Sequence, residues 1–137
     1  MKKIIVMTFL LVCTFVNGQI IFSHEREIKS KENYTAKDID FFNYTDNINL
    51  SGTLLTPKTS YKKIVIIIPG SGKDTRYSHY KLAAALLENN IAVYRYDERG
   101  VGKSEGHFTS AIDRLTDDVS YCIKNLKYKY DFTLYYI

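Results

Sequence analysis

The chain has 137 residues, enough for one domain at most. Its 45% apolar, 25% charged and 14% aromatic content is a globular balance, and seven glycines with two prolines exclude collagen-like and linker-like sequence. The formal charge of +4 is a mild excess with mixed signs along the chain, and two cysteines are too few for a disulfide scaffold.

The first residues read as a Sec-type signal peptide, 1–18. Met1-Lys2-Lys3 is a short basic start, residues 4–16 carry no charge and are mostly apolar, and Gly18 is small enough for signal peptidase. The apolar run is shorter than the roughly 20 residues a membrane-spanning helix needs. Val12 before Cys13 does not fit a lipoprotein site. Cleavage predicts Gln19 as the mature N-terminus, Cys122 as the remaining cysteine, and a secreted or periplasmic location; an uncleaved anchor is the alternative.

Residues 23–40 are polar and charge-rich, and 19–40 read as a surface segment or loose polar N-terminal arm. The domain is expected over 41–137. Residues 41–44 predict a short strand and Asp46-Asn47 a turn. Ile48, Leu50, Gly52 and Leu54 alternate with polar residues, so 48–57 reads as a second strand, antiparallel to the first. Residues 64–68 are a continuous β-branched run, the mark of a central strand covered on both faces. A glycine-containing loop follows, then a helical spacing over 77–87 that stops at Asn89-Asn90. Residues 91–96 form the next strand and 97–106 a charged, glycine-rich loop. Ile112, Leu115, Val119, Cys122 and Leu126 share one helical face, and 132–137 fit one more strand. Strands alternating with helices imply an α/β fold with a mostly parallel sheet, preceded by an N-terminal antiparallel pair.

Several motifs fail their tests. Gly70-Ser71-Gly72-Lys73 lacks both the upstream glycine and the Ser/Thr of a phosphate loop, and Gly100-Val101-Gly102 with Gly106 misses the dinucleotide fingerprint by spacing. His24, His79 and His107 show no ligand spacing, and Asp113 and Asp117 read as partners of a helix dipole, so neither a metal nor another cofactor is expected. Lys124, Lys127 and Lys129 read as a solvated face, and no nucleic-acid partner is expected. Cys122 is expected in the core, and His107 in solvent.

Residues 48–127 resemble the N-terminal half of the α/β-hydrolase fold, and the group they are most similar to comprises secreted bacterial esterases and serine aminopeptidase-like hydrolases. The resemblance is carried by 64–68 with Pro69-Gly70-Ser71-Gly72, by the helix up to Leu87, by strand 91–96 running into Asp97-Glu98-Arg99-Gly100-Val101-Gly102-Lys103-Ser104, a D-x-R-G-x-G-x-S turn, and by Asp117-Asp118-Val119 with Ile123-Lys124-Asn125-Leu126. It implies a partial α/β-hydrolase fold and a serine hydrolase acting on carboxylic esters or short peptides. It further implies an oxyanion role for the backbone N–H of Ser71, and a structural role for the D-x-R-G-x-G-x-S turn with Asp97 and Arg99 tied to each other. Ser71 and Ser104 are the other conceivable nucleophiles. The family pattern continues to a strand and G-x-S-x-G, which these residues do not contain. The expectation is therefore an inactive fragment ending before the nucleophile. The alternatives are a shortened exported binding or structural protein, and one half of a split hydrolase completed in trans by a complementing C-terminal half. A small ester or peptide is the expected substrate only of the completed enzyme.

Overall fold

The computed structural model describes residues 21–70, 72–130 and 133–137, so the predicted signal peptide lies outside the described residues. The strands in chain order are β1 (Tyr34–Asp38), β2 (Phe41–Asn43), β3 (Ile48–Leu50), β4 (Gly52–Pro57), β5 (Lys63–Ile67), β6 (Ala92–Tyr96) and β7 (Thr133–Tyr136); the helices are α1 (Tyr80–Glu88) and α2 (Ile112–Lys129). Five strands make one mixed sheet in the order β1-β4-β6-β5-β7, and β2 with β3 makes a separate antiparallel pair. Within the large sheet β6, β5 and β7 run parallel, while β4 and β1 are antiparallel to their neighbours.

Period-two alternation explains how β5 holds the molecule together. Ile64 and Ile66 point to one face, into a core with Leu50, Leu54, Tyr94 and the α2 residues Cys122 and Leu126. Val65 and Ile67 point to the other, packing with Leu55, Val93 and the α1 residues Ala83 and Leu87. The crossovers β5-α1-β6 and β6-α2-β7 thus cover opposite faces, which is why all four of these β5 residues are buried. Cys122 lies in the core, as expected.

Two readings of the sequence need correction. The predicted single strand over 48–57 breaks at Ser51: β3 pairs with β2 in the small sheet and β4 with β1 and β6 in the large one. Gly52 at the junction lies against the Tyr94 ring, where a Cβ would meet the phenolic oxygen. The 19–40 segment is not a loose arm in its described part. It contains β1, paired in register from Tyr34–Pro57 to Asp38–Thr53, and it buries Glu25 and Ile28. β1 escapes a hydrophobicity pattern because it is an edge strand whose residues after Tyr34 are exposed.

Candidate functional site

Loops at the carboxyl ends of parallel strands are where α/β sheets place their chemistry. Two such loops meet here, 68–79 after β5 and 97–106 after β6, joined by the Glu98 N–H donating to the Asp74 carbonyl at 3.2 Å. The β7 ladder runs to the same edge: Ile137 N–H donates to the Ile66 carbonyl, and Ile68 N–H to that of Ile137. The chain at Ile137 therefore emerges beside the 69–72 loop. Ser71, the expected oxyanion donor, lies outside the described residues; its neighbour Gly70 is exposed, with its N–H 3.3 Å from Asp74 Oδ2.

The D-x-R-G-x-G-x-S turn is held by buried ion pairs, though not the one expected. Asp97 and Arg99 do not pair. Each instead finds its partner in another element. Asp97 accepts from Arg76 at its backbone N (2.9 Å), Nε (3.0 Å) and Nη2 (2.9 Å), and from the Lys103 backbone N (2.9 Å). Arg99 holds Asp118 of α2 with Nε and Nη2, both at 2.7 Å, and Asp46 of the β2–β3 turn with Nη1 at 2.6 Å. Asp118 also accepts from Asn43 Nδ2 at 2.7 Å. Gly102, at φ +57°, lets the loop fold back over Asp97; a Cβ there would lie 2.5 Å from the carboxylate. Ser104 donates to the Asp97 carbonyl at 2.6 Å and accepts from the Ser51 N–H at 2.9 Å, so its hydroxyl is spent on the turn.

Three residues gather where the sequence offered no signal. Asp74 accepts a contact from His24 Nε2 at 2.7 Å, and His79 Nε2 stands 3.7 Å from its other oxygen. His79 sits in the left-handed region at φ 52°, just before α1. Glu25 completes a group whose ligand atoms, with His24 and Asp74, lie within 4.8 Å of one another. Its carboxylate already accepts backbone N–H bonds from Ile21, Phe22 and Thr75, which makes it a clasp for the N-terminal segment. His107 is exposed, as expected.

Glu98 is buried between these loops, and its Oε2 has no hydrogen-bond partner among the described residues. Burial, reinforced by the Asp74 and Asp118 carboxylates, pushes its carboxyl up to about 7. The same desolvation raises the Cys122 thiol well above its ordinary value.

Sheet order, crossovers on opposite faces and the two loops at one edge define an α/β-hydrolase fold. The sequence profile of the serine aminopeptidase family S33 matches residues 59–134, which takes in β5, α1, β6, α2 and the D-x-R-G-x-G-x-S turn. The chain belongs to that family. Among solved structures it is similar to the Pyrococcus furiosus esterase Pf2001, with 28% identity, a TM-score of 0.61, and coverage of 71% of this chain and 38% of the esterase. It shares its fold with XC6422 from Xanthomonas campestris, a serine hydrolase without lid, at 22% identity and a TM-score of 0.60, covering 74% of this chain and 49% of that one. The chain thus spans less than half the length of these structures. No curated protein sequence matches it.

Proposed function

We propose that this chain provides the oxyanion-side half of a serine hydrolase for carboxylic esters or short peptides, and that these 137 residues do not turn over substrate unaided. The observation that carries the reading is that the chain leaving β5 at Ile68 enters Pro69-Gly70 at the carboxyl end of the strand, beside the end of β7. Acyl transfer needs a serine activated by histidine, an acid orienting that histidine, and N–H donors aimed at the developing oxyanion. The loop supplies one donor, the backbone N–H of Ser71. The nucleophile of this family stands in a G-x-S-x-G turn after a strand, a motif these residues lack.

A split hydrolase is the second reading, favoured by the open side of β7, which pairs only with β5 among the described residues. The sheet of a complementing C-terminal half would add there. The reading includes export, through the basic start, apolar run and Gly18.

Hydrolysis of nitrophenyl esters and aminoacyl anilides tests both readings. The chain alone is expected to match a protein-free blank. Activity that appears only on mixing with a polypeptide carrying the G-x-S-x-G strand selects the split enzyme. In that mixture Ser71→Ala should change little and Ser71→Pro should abolish turnover, since proline removes the donor.

A further inference from the structure

Arg95 of β6 is the buried cation that the ion-pair networks leave out. It shares a face of the sheet with Thr53 and Leu55 of β4, beneath the N-terminal segment and Tyr77. Only 6% of the residue is exposed. Its neighbours' charges are already committed: Arg76 to Asp97 and Asp38, and Lys31 to Glu27. Among the described residues no carboxylate lies within ion-pair distance of Arg95. Among the described residues its Nε has no hydrogen-bond partner, and its one side-chain hydrogen bond is a long one, Nη1 donating to the Ser78 carbonyl at 3.4 Å. A guanidinium is not relieved by losing its proton at ordinary pH, so burial without a counter-ion leaves a standing demand for an anion.

The residue lines a cavity of about 300 Å³. Leu55, Ala36 and Ile28 give it apolar walls, and the rings of Tyr34 and Tyr77 flank it. Glu27 and Asp38 also line it, each paired with a cation of the same lining, Lys31 and Arg76, so the Arg95 guanidinium leaves one positive charge for a single negative charge to meet.

We propose that this cavity is a binding site for a small organic monocarboxylate with an apolar or aromatic body, held by the Arg95 guanidinium. A planar carboxylate matches the guanidinium fork, and the apolar lining takes the body of the ligand. The inference stands apart from the hydrolase reading: it concerns binding, and its test reads no turnover.

The test uses the full chain with benzoate as probe, benzamide as the neutral isostere, and inorganic phosphate as a second anion. Arginine Nε–H resonances are followed by ¹H–¹⁵N NMR, with Arg95 assigned by its loss in Arg95→Met. Benzoate should shift the Arg95 resonance saturably, and benzamide should bind at least about tenfold more weakly, the equivalent of one charge-assisted hydrogen bond. Phosphate should be the weaker anion. Arg95→Met should keep the fold, as judged by its thermal transition, and lose the benzoate response seen by calorimetry. Equal responses to benzoate and benzamide, a benzoate shift confined to exposed arginines such as Arg26, or an undiminished response in folded Arg95→Met would each overturn the proposal. The wild-type spectrum alone decides the matter should Arg95→Met not fold, because an unmoved set of buried arginine resonances under saturating benzoate also contradicts it. A phosphate response stronger than that to benzoate would refute the carboxylate assignment.

Discussion

Asp97 receives four donors, three of them from one residue, Arg76, that stands on another loop. Removing a buried carboxylate of this kind strands the cation it neutralised, at a cost of about 3–5 kcal/mol, a large share of the ~5–15 kcal/mol that holds a domain together. Asp97→Ala should therefore lower the urea midpoint sharply. The pairing itself is open to a double-mutant cycle. Arg99 and Asp118 should couple by about 2–3 kcal/mol, while Asp97 and Arg99 should couple far more weakly; the reverse ranking would restore the pairing that the motif suggested. Glu98 makes a second prediction. Its carboxyl is raised from an ordinary value of 4.5 to about 7, chiefly by burial. Between those values the folded state keeps a proton that the unfolded state has released, so stability falls as pH rises through that window and levels off above it. Glu98→Gln should flatten this slope and gain on the order of 2 kcal/mol at pH 8 over wild type, while changing little at pH 4.5. Parallel slopes for the two proteins in urea titrations across this range would contradict it.

At the scale of elements, legibility followed burial. The run containing Ile64, Val65, Ile66 and Ile67 declared a two-faced strand because both of its faces are buried, and each face packs a different helix. The spacing of Cys122 and Leu126 declared α2 because only one of its faces does so. β1 stayed hidden because its outward residues are polar and its place is set by hydrogen bonds to β4, which leave no mark on its own sequence. The site was harder to read for a related reason. Asp97 and Arg99 are neighbours in the motif, yet their partners Arg76 and Asp118 belong to other elements, and His24 reaches Asp74 across 50 positions of sequence. Sequence spacing predicts contacts along one element, and these contacts lie between elements. The packing of α2 is checked through Cys122. Buried and with its thiol titrating high, it should resist iodoacetamide in the native chain and react readily in urea, as followed on its own peptide by mass spectrometry. Alkylation at equal rates in both conditions would show that α2 does not cover β5 and β6.

Taken whole, the molecule is a sheet with one mostly covered interior and one open side. β1 and β7 are its two edges among the described residues. β1 meets solvent with polar side chains, one of the standard ways of blunting an edge. The β7 side is where the chain reaches the loop that follows β5, and the proposal is that this edge is the oxyanion side of a serine hydrolase whose nucleophile is absent from these 137 residues. The measurement that tests this most directly is labelling of the purified chain with a serine-directed phosphonate, with Ser71→Ala and Ser104→Ala alongside. The expected result is labelling no greater than that of a heat-unfolded control, with both variants indistinguishable from wild type. Stoichiometric labelling of the native chain that disappears in one of the two variants would contradict it, because the nucleophile would then already be present among these residues.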